Sequence, residues 1–572
     1  MNAKKDRLPG ILRHLALILL DAVLVLILWT YADANLHHYT ARMDADIASE
    51  TLLGTRIYEN GFRQPDTWVV STHNYVIMAP NLAAFIYPIV EKNMNLAMGI
   101  AIVLLFLLMA RLMYVYLRDM ELSHIGIISA MILSFSLMRT SDDIQQMIFL
   151  YAAYYVVHFI TLFLFLILYN KAIEKDKVPL WTFGLTLLLS FLNGLQGMHA
   201  ALFCYMPLLG VELVRRFVSF IKKEKQSNFL ILGWLLATSF LSVFATKIVG
   251  SYTLGASRNI RHAGEKFIEY VWPFFLDVIS FEKLPVLVAL FCVLAALGYI
   301  YTIRELLIGA AGAEAAQAGA TEAPVEAALA KSPFWSVLAF PFGVIVCMLS
   351  STFTTAEAAP RYYIMILFVV GVGVALFLRG VTELAARSAK GESASGAKAA
   401  TEDDARAVPT RSAADAKNGK AWAKYVCAAI AALVIIYGLD KAYVFNKDLI
   451  INDDSFEQAA SQIARWMEDN GYEYGYSTFN HANTITVMSN NKVKVRAVNS
   501  MSELEGAKWL SDKTWYPPLK SSEGPTCYIV SESNAEDFEC FLAAKQPTVV
   551  EEIKIGDFEV YVLDHDYTLW VD

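Results

Sequence analysis

The chain has 572 residues, of which 56% are hydrophobic and 18% charged, with a mean hydropathy of +0.43, a balance that excludes an ordinary soluble protein of this size and points to a membrane protein. Its 47 basic and 55 acidic side chains give a net charge of −8, and the excess acid sits wholly at the end of the chain: residues 441–572 hold 11 basic and 22 acidic groups, the remainder 36 and 33. No Lys/Arg stripe is available to neutralise phosphates, so nucleic acid is excluded as a partner.

A helix crosses a bilayer in about 20 apolar residues. Stretches of that kind fall near 11–31, 94–117, 121–138, 147–170, 179–192, 198–219, 228–247, 284–303, 333–351, 361–380 and 422–440, eleven in all, the one at 179–192 being short. Lys4, Lys5, Arg7 and Arg13 precede the first and place the N-terminus in the cytoplasm. The long apolar run has no small-residue cleavage site after it and is not a signal peptide. An odd number of spans carries the C-terminus outside. Arg111, Arg118, Lys171, Lys175, Lys177, Arg215, Arg216, Lys222, Lys223, Lys225, Arg304 and Lys331 then fall on inner loops, as the positive-inside bias requires.

The expected fold is therefore an α-helical polytopic membrane domain, 1–440, with an extracytoplasmic first loop at 32–93, cytoplasmic linkers at 305–332 and 381–421, and an extracytoplasmic soluble α/β domain at 441–572. In that last domain, 453–470 has helical periodicity (Phe456, Ile463, Ala464, Trp466, Met467), and 492–498, 526–530, 549–555 and 558–563 read as strands. Cys204, Cys292, Cys347 and Cys427 lie in apolar spans as small hydrophobes; Cys527 and Cys540 are the pair that can form a disulfide, with buried free cysteine as the alternative.

Chemistry concentrates in the first loop. On a helix, Asp46 and Glu50 share a face one turn apart, with Asp44 just ahead. Like charges at that spacing repel, so either a cation, metal or proton is in play, or the acids simply open a surface helix with a favourable dipole. Elsewhere, Asp21 is an ionisable group inside a span and marks either a proton path or a structural hydrogen bond. His158 reads as a bundle histidine, and 193–199 as a turn. His37 and His38 are adjacent and splay apart, so no histidine cluster has metal-ligand spacing.

The run Asp44-Ala45-Asp46-Ile47-Ala48-Ser49-Glu50, a leucine pair, Glu59-Asn60-Gly61, then Trp68 and Ser71-Thr72 resembles the first-loop signature of bacterial polytopic membrane glycosyltransferases of the GT-C superfamily, the protein mannosyltransferase and lipid A aminoarabinose transferase type. The segment Tyr474-Gly475-Tyr476-Ser477-Thr478-Phe479-Asn480-His481, in which a Gly-Tyr strand leads into a polar-aromatic helix start, resembles the tail domain of the same group. The resemblance implies a hexosyltransferase of the bacterial plasma membrane that moves a sugar, with inversion, from a polyprenyl-phosphate donor to an envelope glycan or glycolipid acceptor on the outer face. An Asp of the first loop would be the general base. Asp46 takes that role by its distance from Glu59-Asn60-Gly61, with Asp44 as helper, and Glu50, Trp68, His73 and Tyr362 would contact substrate. His73 departs from the acidic residue that relatives carry after Ser-Thr. No cofactor is implied with certainty; a divalent ion between Asp44 and Asp46 is a possibility the superfamily admits.

Such transfer has two requirements. A hydroxyl is a poor nucleophile at neutral pH, so a carboxylate must take its proton, and the departing phosphate charge must be met by guanidinium or ammonium groups. Arg361, beside tyrosines at a span mouth, and Arg258 and Arg261, two basic residues in a predicted outer loop, are the candidates for the second task. Arg361 as an interfacial anchor is the alternative. A transporter or flippase of lipid-linked saccharides is the rival function, but no internal repeat of the kind transporters show is visible.

Overall fold

The structure is a computed structural model that describes residues 8–70, 74–137, 151–223, 228–248, 261–273, 276, 285–308, 331–354, 363–399, 413–517 and 524–571. The chain is a helical polytopic membrane protein with a C-terminal α/β domain. Among the described residues, eight helices are long and apolar enough to cross a bilayer, and His124–Ser136 and Leu180–Leu195 are shorter apolar helices. The predicted span at 198–219 is a π-turn, Ala201–Tyr205, running into Met206–Ile221. Where helices cross closely, small residues permit it: a Cβ on Gly373 would lie 2.5 Å from that of Ala295, on the neighbouring helix Pro285–Ile308.

Two expectations change. Arg215 and Arg216 are not loop charges but are buried on their helix around Glu212: Arg215 Nε donates to Glu212 Oε2 at 2.8 Å, Arg216 Nε donates to Oε1 at 2.6 Å, and Tyr169 Oη donates to Oε2 at 2.8 Å. A carboxylate one turn away satisfies both guanidinium groups locally, so their positive charge says little about the side of the membrane. The segment read as a linker at 381–421 is helical up to Ala399 and again from Ala413, as alanine-rich sequence favours helix. The expected linker over 310–330 lies outside the described residues.

Past the last long helix, Ala413–Asn446, the α/β domain begins with helix Ala459–Asp469; the turns at 453–458 precede it rather than extend it. Its sheet contains β2 (Tyr474–Thr478), β3 (Lys494–Val498), β5 (Thr526–Ser531), β6 (Val549–Ile555) and β7 (Phe558–Leu563), in the order β3-β2-β5-β7-β6, with β2 parallel to both neighbours and β7 antiparallel to both of its own. Cys527 and Cys540 are free, the first buried on β5 and the second exposed on the following helix, so the alternative to a disulfide holds.

The first loop and this domain are bound to each other. β1 (Trp68–Val69) pairs antiparallel with β4 (Ser511–Asp512). Arg56 clamps the fully buried Asp512, donating to Oδ2 from Nε at 2.9 Å and Nη2 at 2.8 Å. Asn483 Nδ2 donates to Ser49 Oγ at 2.9 Å, Asn95 Nδ2 to the Val487 carbonyl at 3.0 Å, and His38 meets Asp453 at 2.7 Å. Both pieces therefore lie at one end of the helices, which requires an even number of crossings between them.

Burial pushes the Asp512 carboxyl up, but the Arg56 guanidinium and the bonds from Thr514 outweigh it and hold the group below the ordinary carboxylate range. A depressed folded-state value stabilises at neutral pH, and the contribution is lost as pH falls through that range. Removing one partner of a buried pair typically costs about 3–5 kcal/mol. Asp512→Ala is thus expected to lower the thermal midpoint and to speed protease release of the tail domain at pH 7, with the difference from parent shrinking on acidification. An unchanged midpoint at pH 7 would show that the pair does not hold the two pieces together.

Candidate active site

The first-loop helix α2, Ala45–Glu59, owes its limits to its sequence. Asp44 has extended backbone and caps the start, its Oδ1 accepting from the Ile47 amide at 2.7 Å. Gly61, at φ +68, ends it: the Gly61 amide donates to the Tyr58 carbonyl and the Phe62 amide to that of Ile57. The glycine of Glu59-Asn60-Gly61 is therefore a helix stop, and its fixed spacing from the aspartates measures the length of one helix.

The three acids of α2 occupy different surroundings. Asp44 is partly exposed and engaged in the cap. Asp46, in the first turn, is also partly exposed. Glu50, one turn further on, is 1% exposed; Tyr75 Oη donates to its Oε1 at 2.9 Å, and Oε2 is buried without a hydrogen-bond partner. Burial pushes the Glu50 carboxyl well above the ordinary range, and Asp46 and Asp44 push it the same way, the Tyr75 bond opposing them only in part. Glu50 is thus held toward its neutral form next to the two aspartates.

Tyrosines line the same end. Tyr39 Oη lies 2.8 Å from Thr51 Oγ1 and donates to the Tyr151 carbonyl at 2.9 Å. Tyr154 is close enough for Glu50, Asp46 and Asp44 all to act on it electrostatically. Behind it, Tyr155 packs on His199 with ring centroids 4.9 Å apart, and His199 stacks on His158 at 5.7 Å. The turn at 193–199 is fastened to the first loop by Gln196 Oε1, which accepts from the amides of Val76 and Ile77 at 3.1 and 2.5 Å. Sequence reasoning passed over Tyr75, Tyr154 and His199, because loop residues have no periodicity to reveal which of them point at a helix.

Trp68 is buried in β1 and packs edge-on against Trp515, centroids 5.6 Å apart, which places it in the joint with the tail domain. Arg261 is exposed, and among the described residues nothing joins it to the carboxylates. His73, Arg258, Arg361 and Tyr362 lie outside the described residues. Lys266, which the sequence did not single out, donates to the Thr354 carbonyl at 2.6 Å. Asp21 meets His124 at 2.9 Å, a structural pairing at half-exposed positions. His37 and His38 do splay, one to Asp33 and the other to Asp453. Among the described residues no three His, Cys, Asp or Glu side chains converge as a metal site.

No protein-family model matches the chain, and no curated protein matches it. Among solved structures it is similar to ArnT from Cupriavidus metallidurans, in the apo state (12% identity, TM-score 0.48) and bound to undecaprenyl phosphate (12%, 0.46), each likeness covering 95% of this chain and 97% of the other. It is also similar to an Archaeoglobus fulgidus oligosaccharyltransferase in complex with zinc and sulfate, at 11% identity and a TM-score of 0.42, over 88% of this chain and 67% of that one. At identities this low, function has to be argued from the chain's own residues.

A raised carboxyl costs folding energy once pH exceeds its unfolded value, and the cost grows until the folded value is reached. Glu50→Gln keeps the shape and the acceptor for Tyr75 without the ionisation. The variant is expected to match parental stability near pH 4 and to exceed it increasingly toward pH 8, as read by thermal unfolding of the purified protein at each pH. A constant offset across that range would mean that Glu50 is not held neutral.

Proposed function

We propose that the protein is an integral membrane glycosyltransferase of GT-C type. It moves a sugar from a polyprenyl-phosphate donor to an envelope glycan or glycolipid, with inversion, on the outer face, where the first loop and residues 441–572 would both lie. The observation that carries this reading is the division of labour among three acids at the start of α2: Asp44 caps it, Glu50 is buried with its carboxyl pushed toward the neutral form, and Asp46 is partly exposed in the first turn. A general base needs to be ionised at working pH and within reach of a hydroxyl. Asp46, partly exposed in the first turn of α2 with Tyr39, Tyr75 and Tyr154 at the same end, is the residue placed for that task. Arg361, and with it Lys266, would meet the phosphate charge as it departs.

The test is turnover of a purified polyprenyl-phosphate sugar by variants beside the parent. Asp46→Asn should remain folded, retain donor binding and lose transfer by roughly 10²–10⁴-fold. Asp44→Asn should lose less, since asparagine caps a helix about as well as aspartate. Parental turnover in Asp46→Asn with a dead Asp44→Asn would reverse the assignment, and two active variants would remove the first loop from the chemistry.

Arg361→Ala is expected to impair use of the lipid-phosphate donor more than Arg361→Lys, which keeps the charge but loses the fork. Equal, parental rates for both would make Arg361 an interfacial anchor.

A further inference from the structure

Arg496 is a charge with no counterpart. It sits mid-strand on β3 and is 7% exposed; its Nη1 is buried without a hydrogen-bond partner, and no hydrogen bond or ion pair joins the guanidinium to any group among the described residues. The guanidinium lies over the face of Trp515, with Cζ 4.0 Å from a ring centroid. Burial lowers its pKa to about 10, the hydroxyls of Tyr516 and Tyr476 oppose that, and the nearby Arg56 guanidinium acts in the same direction as burial. Asp512, the obvious partner, is already saturated: Arg56 takes Oδ2, while Thr514 donates to Oδ1 from its amide at 3.0 Å and its hydroxyl at 2.8 Å.

A buried guanidinium that lacks an anion and lies next to a second cation is among the costliest arrangements a fold can hold. Among the described residues no anion pairs with it. The surroundings suit an outside ligand. Lys494 shares the Arg496 face of β3, two residues along, and Lys513 lies over the Trp570 ring, 5.5 Å from its centroid. Arg56 is already held by Asp512 and Glu59, and Lys494 by Glu473, which leaves Arg496 as the guanidinium at this joint without an anion among the described residues. Aromatic rings stand among them: Trp68 on Trp515, and Tyr516 on Trp570 with centroids 5.6 Å apart. Guanidinium forks bind carboxylate and phosphate oxygens in pairs, and Trp570, the one of these rings that is not buried, offers a flat face of the kind that packs on a sugar.

We infer that the joint between the first loop and the tail domain is a binding site for an acidic saccharide, whose carboxylate or phosphate is received by Arg496 with Arg56 beside it. The placement relative to the carboxylates gives the site its use. Arg56 is ten residues beyond Asp46 on the same helix, about 15 Å along the axis. A ligand anchored here by its anionic group spans several sugar rings before it reaches Asp46. That is the geometry of an extended acceptor held by one unit while another reacts. The identity of the ligand as acceptor rests on the proposed function; the existence of the site does not.

Binding is measured apart from transfer, on the full-length protein in neutral detergent. Thermal midpoint and tryptophan fluorescence are followed against inorganic phosphate and sodium glucuronate, with chloride at matched ionic strength as reference, and against vesicles of phosphatidylglycerol or of neutral lipid. The parent is expected to be stabilised by phosphate or glucuronate. Arg496→Lys should bind at least several-fold more weakly and Arg496→Met at least tenfold more weakly, with Arg496→Met melting no lower than parent when no anion is added. Equal responses of parent and Arg496→Met would overturn the site, as would no response of the parent to any probe. An Arg496→Met protein that melts lower in anion-free buffer would make Arg496 a structural staple on Trp515. A response to phosphatidylglycerol vesicles alone would assign the anion to lipid headgroups and overturn the saccharide. Transfer lost in Asp46→Asn with anion binding intact, or the reverse in Arg496→Met, separates failure of one proposal from failure of the other.

Discussion

Asp512, without any solvent exposure, is held by a guanidinium from a helix 456 residues earlier in the chain, and most of the functional geometry follows from that one ion pair. An aspartate buried alone would be prohibitively costly, so the tail domain can seat in this way only if Arg56 is delivered to it. Arg56 belongs to α2, the helix that carries Asp44, Asp46 and Glu50. Docking the tail therefore fixes the rotation of α2 about its axis and decides which of its faces is buried. The short β1–β4 ladder adds a second point of attachment and removes the remaining freedom to swing.

With α2 fixed, its acids acquire distinct chemistry without any need for distinct residue types. The first turn stays partly open and the second is sealed under Tyr75 and the tyrosines of 151–155. The Glu50 carboxyl is consequently held toward its neutral form. The polarity of α2 matters as well: its N-terminal end, where the amide dipoles favour negative charge, is the end that holds the aspartates. The cap at Asp44 and the stop at Gly61 keep the helix to a fixed length, so the register between acids and Arg56 cannot slide.

Much of this fold is legible in the sequence. Long apolar stretches declare membrane helices, β-branched runs at 549–555 and 558–563 declare strands, and the Asp-then-apolar onset of α2 declares a helix start. What stays hidden is everything that depends on distant partners. Arg215 and Arg216 look like loop charges because Glu212, though only a turn away, does not reveal from sequence that all three are buried. Glu50 looks like an exposed acid until Tyr75 and the helices above it close over it. Trp68 reads as a substrate contact when considered beside Asp46, yet its neighbour in space is Trp515. Alanine-rich sequence after 381 reads as a linker because composition reports the lack of a core, whereas helix needs only backbone hydrogen bonds. Arg496 gives no signal at all, since a lysine–valine–arginine alternation is ordinary for a strand with one wet face.

The separation between Arg56 and Asp512 also sets an order of events at the ribosome. Chain growth of about 5–20 residues per second leaves α2 waiting roughly half a minute to a minute and a half for its partner strand. Throughout that interval the first loop has emerged with a guanidinium and an unpaired edge at Trp68–Val69, while the intervening helices are still being inserted. The enclosure around Glu50 can form early, because Tyr75 and Gln196 are made soon after α2, but the face that receives the tail cannot. Nascent chains arrested before residue 511 would therefore carry the acids on a helix still free to turn, and completion of the last 62 residues would fix it.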